Sequence, residues 1–397
     1  MKRFFVASVV LAGALSAINV HAAAINASDV VVVRIGDGST AITNTTAAVF
    51  LDEYTQGGTF VQSIPMPTSA SGPSLALTML GNGTAEGDLT VSPDGSYLAL
   101  TGFNFGTGVI SPATTNSSVV ARSVGIVATV DGSVDTTTAI NNQGASDPRG
   151  AITTDGNSIW QVNSGNGMSY TTLGNTGGTQ LYTTLNNSRR VAISQGQLYF
   201  SDASGSAFRL GTVGTGLPTT SGQTLVNLPG FPTTGTVNGA QPYSFVFLSE
   251  GGGTGNVLYV TDAANAFQPT GTGGVEKWSL VGGTWVNNGF ISAPGISNNV
   301  SGISGFVDGS GNAHVYFTAG GGSVAVGPGG PGNSQTNLDL YVDTAGYNAA
   351  PAGSITTIAM AGNNEVFRGV VVLPEPSTYA LVGAGLLGLL TLRRRRS

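Results

Sequence analysis

Four charged residues recur at one phase of a repeated sequence pattern. Asp88, Arg149, Arg190 and Arg368 each stand three residues before an apolar position, respectively Val91, Ile152, Ile193 and Val371. Ser244 and Ile303 hold the same place before Phe247 and Phe306. An arginine fork suits a carboxylate because two parallel N–H groups meet two oxygens. Three arginines in equivalent places therefore define a candidate site for an anionic ligand such as an acidic sugar. The plainer expectation is ion pairing between repeat units, with Asp88 held between Arg368 and Arg149.

Other chemistry is sparsely provided for. Between residues 23 and 370, 8 basic and 19 acidic residues leave a net charge of −11, which argues against nucleic acid or anionic lipid as a partner. Lys277 is the one lysine of that stretch and His314 its one histidine. The chain has no cysteine, so disulfides, a thiol nucleophile and a thiolate metal site are excluded. A serine hydrolase would have to rest on His314 alone, with no G-x-S-x-G context. The run Asp308 to Asn312 resembles a calcium loop but has Ala319 where the twelfth-position acid belongs, so a calcium ion here would lack its bidentate ligand. Asp94, Asp155 and Asp308 fit turn chemistry better. Asp202 and Asp262, in LYFSD and LYVTD, read as structural acids that cap or bond neighbouring loops. No residue is assigned a catalytic role, and no cofactor is implied.

The elements that must position these side chains are strands. The 61 glycines come with regular apolar alternation rather than the composition of a disordered chain. One unit recurs: LTVSPDGSYLALTG, AITTDGNSIWQVNSG, VAISQGQLYFSDASG, FVFLSEGGGTGNVLYVTDAAN and SGFVDGSGNAHVYFTAGG. Each is a strand, a tight turn and a second strand ending in a small polar residue. Trp160, Tyr199, Tyr259 and Tyr316 form an aromatic column that reads as packing between units. Trp278 and Trp285 fall on outer strands, where exposure is expected. Two further strand-like runs follow each pair, and four strands per roughly 40 to 60 residues is the period of a β-propeller blade.

Five full units leave a remainder at each end. DVVVVRIGDG, AAVFLDEYTQGG and FVQSIPMP supply three strands without a first partner, and VFRGVVVLPE supplies a lone first strand. Together they make a sixth blade that closes the ring and hides both sheet edges. The expectation is thus an all-β, six-bladed propeller over residues 23–373. Seven blades are the alternative, should the loop at 101–122 hide a hairpin. In a propeller the first strands border the central channel, which would set Asp88, Arg149, Arg190 and Arg368 around one mouth. The glycine-rich loop 320–337 is a plausible contact loop.

Both termini carry membrane signals. Lys2 and Arg3, an apolar region and Val20-His21-Ala22 make residues 1–22 a signal peptide. At the far end Pro374-Glu375-Pro376 precede an uncharged apolar stretch, 379–392, and then Arg393, Arg394, Arg395 and Arg396. That stretch is short for a membrane span of about 20 residues, which suits a transient inner-membrane tether, with the arginines on the cytoplasmic side. Residues 374–397 resemble the PEP-CTERM sorting signal of Gram-negative, exopolysaccharide-producing bacteria. The resemblance implies recognition and processing by a membrane-embedded exosortase, followed by release or attachment at the cell surface.

The expected function is a non-catalytic surface or extracellular-matrix propeller that binds polysaccharide or a surface protein. One alternative is an enzyme on the same scaffold, a calcium-dependent lactonase or a sugar-acting lyase or hydrolase. Another is a structural matrix or surface-layer component.

Overall fold

The computed structural model describes residues 22–203, 210–231, 242–262, 274–291, 300–320 and 336–374. The expected signal peptide up to residue 21, the apolar stretch 379–392 and Arg393 to Arg396 lie outside the described residues, as does the loop from 321 to 335. Among the described residues no helix is long and apolar enough to cross a membrane.

Six antiparallel four-stranded sheets make six blades. Five take their strands in sequence order, beginning with inner strands Thr90–Val91, Pro148–Thr153, Ser188–Ser194, Pro242–Leu248 and Ile303–Val307. The sixth is composite: Val366–Val372 lies inside, followed by Val30–Ile35, Val49–Tyr54 and Phe60–Pro65. Val30 pairs with Val372 and Ile35 with Val366, so the two ends of the chain are zipped along the length of a strand. All seven residues of Val366–Val372 are buried, as befits a valine-rich run covered on both faces.

The region considered for a seventh blade holds no hairpin. The chain between Phe103 and Arg122 contains a single 3-10 turn, Pro112–Thr114. Arg122, buried beneath that loop, fastens it through backbone carbonyls. Its Nε donates to Ser146 O at 3.0 Å, Nη1 to Val120 O at 2.9 Å and Nη2 to Thr115 O at 2.7 Å. A guanidinium that satisfies three carbonyls stands in for the strand partner they would otherwise need.

A hydroxyl residue one place before the end of the second strand has a mechanical role in three blades. Ser201 Oγ donates to Tyr243 O at 2.6 Å, Thr261 Oγ1 to Ser301 O at 2.8 Å and Thr318 Oγ1 to Arg368 O at 2.6 Å. Each acceptor belongs to the inner rim of the next blade. The same hydroxyls accept from Arg190 N at 3.1 Å, Ser244 N at 2.9 Å and Gly302 N at 3.0 Å. In two blades those amides sit where the pairing register slips, between Ser188 and Val191 and between Pro242 and Phe245. A hydroxyl thus satisfies the amide that the bulge leaves unpaired and ties it to the next blade.

The aromatic column also spans blade boundaries. Trp160 Nε1 donates to Pro218 O at 2.8 Å, Tyr199 packs on Phe247 at 4.6 Å, and Tyr259 Oη donates to Asp343 Oδ2 at 2.7 Å. Trp278 and Trp285 are not exposed: they are 2% and 5% accessible. The segment after the third blade's outer strand folds over them, with Phe231 stacked on Trp278 at 4.1 Å and Trp285 N bonded to Pro229 O at 2.8 Å. Strand position alone could not reveal that cover.

Candidate functional site

The inner strands surround a channel whose two ends differ. One end lies where these strands begin. There the register slips between Pro148 and Gly150, between Ser188 and Val191, and between Pro242 and Phe245, at Arg149, Arg190 and Ser244. A bulge re-aims the side chain it carries, here toward the channel.

Arg190 Nη1 donates to Asp88 Oδ1 at 2.7 Å, to Ser244 Oγ at 2.7 Å and to Leu89 O at 3.3 Å. Ser244 Oγ in turn donates to Asp88 Oδ1 at 3.3 Å. These three side chains plug the channel. Asp88 therefore pairs two blades along, rather than with its neighbours Arg368 and Arg149. Arg149 pairs instead with Asp147 at 3.1 Å. Arg368 donates Nε to Gly83 O at 2.8 Å and Nη1 to Phe367 O at 2.8 Å. The backbone still brings three of the four positions together: Asp88 N donates to Arg149 O at 3.3 Å, and Gly369 N, next to Arg368, to Gly87 O, next to Asp88, at 2.8 Å.

Burial dominates the electrostatics of this end. It pushes the Asp88 carboxyl up to about 6, although Arg190 pulls the other way. Burial also lowers Arg368 to about 10. Glu86, which sequence reasoning passed over, is pushed up to about 8 by burial, with Asp147 adding to the effect. Its Oε2 accepts from Leu80 N at 2.9 Å. Only about 20 Å³ of space remains at this end, bordered by Glu86, Asp88, Arg189, Tyr243 and Ser244. The Arg189 guanidinium lies 4.5 Å over the Tyr243 ring.

Beyond the plug the channel widens to a cavity of about 460 Å³. Val91, Ile152, Ile193, Phe247, Phe306 and Val371 all line it. These are the six apolar positions that align the repeat, so its phase was legible in sequence while its lining role was not. Pro374 forms part of the wall, and Leu373 is held by hydrogen bonds with Ser28 and Asp29, at 3.2 and 3.0 Å. The sorting motif therefore begins at the cavity's rim.

The remaining candidates sit elsewhere. Asp308 is held down to about 2, chiefly by the Asn312 N–H, and also bonds Ser310 N at 2.8 Å and His314 Nε2 at 3.1 Å. His314 stacks on Phe306 at 4.8 Å. Asp202 is buried and accepts from Ser188 Oγ at 3.3 Å, and Asp262 is buried at the end of its strand. Among the described residues no three His, Asp or Glu side chains gather to hold a metal ion.

A buried cluster between the fourth and fifth blades also escaped the sequence reading. Lys277 Nζ donates to Asp343 Oδ2 at 2.7 Å and to Gly346 O at 2.6 Å, with Glu250 Oε2 at 3.7 Å. Its scarcity as the one lysine of the mature region was the available signal.

Fold and channel together define a six-bladed β-propeller with its ring closed by its own termini. Residues 372–396 match the PEP-CTERM protein-sorting motif, so the chain carries a signal for export and surface sorting. No curated protein matches the chain. Among solved structures, it is similar to TolB from Acinetobacter baumannii (11% identity, 88% of this chain and 67% of that one, TM-score 0.49). It is similar also to a candidate 6-phosphogluconolactonase from Bacteroides uniformis (14%, 83% and 82%, 0.44). A third is the calcium-binding protein regucalcin from Agrobacterium tumefaciens (12%, 72% and 84%, 0.39).

Proposed function

We propose that this protein is a non-catalytic binding propeller, delivered through its sorting signal to the cell surface or extracellular matrix, where it recognises polysaccharide or another surface protein. The junction at Leu373 supports this reading most directly. The closing strand runs into the sorting motif without a linker, so what the motif delivers is the intact ring. An exosortase-type enzyme is the partner during sorting, and the leader and tail act as transient membrane attachments.

At the plugged end of the channel the guanidiniums of Arg149 and Arg368 already have partners. Recognition of a long polymer therefore falls to the outer faces of the blades. Screening the surface-delivered protein against a polysaccharide array tests this. Selective binding that survives Arg149→Gln is the expected result. Absence of binding to any glycan or surface extract overturns the reading, and loss of acidic-glycan binding in Arg149→Gln moves the site to the channel.

A further inference from the structure

The plug leaves part of Arg190 unused. All its side-chain hydrogen bonds among the described residues run through Nη1, to Asp88, Ser244 and Leu89. Nε is buried without a hydrogen-bond partner, and none of the side-chain hydrogen bonds to described residues comes from Nη2. The Nε–Nη2 edge is the one that grips a carboxylate with two parallel bonds. Leaving a buried donor unmet costs free energy, so a fitting acceptor here gains more than one on the surface.

The cavity in front of Arg190 supplies the rest of a site. Among the described residues, Arg190 is the only charged one in the cavity's lining, whereas Asp88 borders the small space on the far side of the plug. The walls are chiefly the apolar column, from Val91 round to Val371, with Gln56, Thr90, Ser92, Ser194 and Ser304 as the uncharged polar side chains between. A volume of about 460 Å³ falls within the range of small-ligand pockets, roughly 300 to 1,000 Å³. The cavity thus presents a mostly apolar sleeve with one cationic side chain in its wall.

We infer that this end of the channel binds a small monocarboxylate with an alkyl or aryl body, its carboxylate on the Nε–Nη2 edge of Arg190 and its apolar part against Ile152, Ile193, Phe247 and Phe306. The inference is independent of polysaccharide recognition by the outer faces, and either can fail without the other.

Isothermal titration of octanoate into the full chain in lipid nanodiscs, with a parallel titration into empty nanodiscs, tests it. The expected result is saturable one-to-one binding, with 1-octanol at least tenfold weaker. Arg190→Lys keeps a cation for Asp88 and Ser244 but loses the fork, and should weaken octanoate at least tenfold. Ile193→Trp fills the sleeve without touching the plug and should abolish binding, while circular dichroism confirms that the ring is intact. Equal affinity for octanoate and octanol, unaltered binding by folded Ile193→Trp, or no more heat than empty nanodiscs give overturns the inference.

Discussion

At one end of the channel Asp88, Arg190 and Ser244 close on one another, and at the other about 460 Å³ stands open between Val91, Ile152, Ile193, Phe247, Phe306 and Val371. Both ends are formed by the same six inner strands, only three residues apart along each. Polar groups in a narrow, dry passage must find partners, and bulges at Arg190 and Ser244 let them converge until no room remains. Apolar side chains make no directional demand. Six of them around a ring simply stand apart, and the space survives. A ring fold thus seals itself where it is polar and stays open where it is apolar.

The contrast can be broken most severely at the strand both ends share. Truncation before Phe367 removes Val366–Val372 but for one residue, unpairs Val30–Ile35 and opens the ring. Such a chain should lose cooperative thermal unfolding altogether, whereas one ending after Pro376 should melt like the parent. Differential scanning calorimetry distinguishes the two.

Next in size is the plug. Asp88→Ala leaves the Arg190 guanidinium buried without its carboxylate and should cost about 3 kcal/mol, because one partner of a buried pair is removed. Chemical denaturation measures this, and a loss below about 1 kcal/mol would falsify the plug as a structural element.

A third test uses pH. Burial pushes Glu86 and Glu276 up to about 8 and Asp88 up to about 6. Between pH 5 and 8 the folded protein holds protons that the unfolded chain has released, so stability falls as pH rises through that window. The thermal midpoint should be higher at pH 5 than at pH 8, and Glu86→Gln should flatten the difference. Below about pH 4 the slope reverses, because Asp308, held down to about 2, and Asp155, also lowered, lose their N–H partners on protonation.

The smallest effect belongs to the open end. Ile193→Ala removes side-chain atoms that already face space, so it should cost less than about 1 kcal/mol, against the roughly 2 to 5 of a packed core position. A larger loss in urea denaturation would mean that the sleeve is packed rather than open.

Much of the fold was legible because it rests on short-range periodicity. The LYFSD-type strand, the turn before it and the apolar phase repeat along the chain, and the orphan strands at 30–65 and 366–372 could only complete each other. The site was legible in part. Arg149, Arg190 and Arg368 lie on inner strands and Asp88 two residues before one, but their pairing was not legible, since Asp88 reaches Arg190 by skipping a blade. Glu86 and Lys277 lie outside the repeat's phase and gave no periodic signal. Trp278 was misjudged because its cover, Phe231, comes from the preceding blade.

The sequence by itself determined the four-strand period, the closure by strands from both ends and the sorting signal, since each is written in local pattern or a contiguous motif. Only the tertiary structure decided that the channel is plugged at one end and open at the other. That outcome depends on bulges and on side chains meeting across the ring, distances that no spacing along the chain encodes.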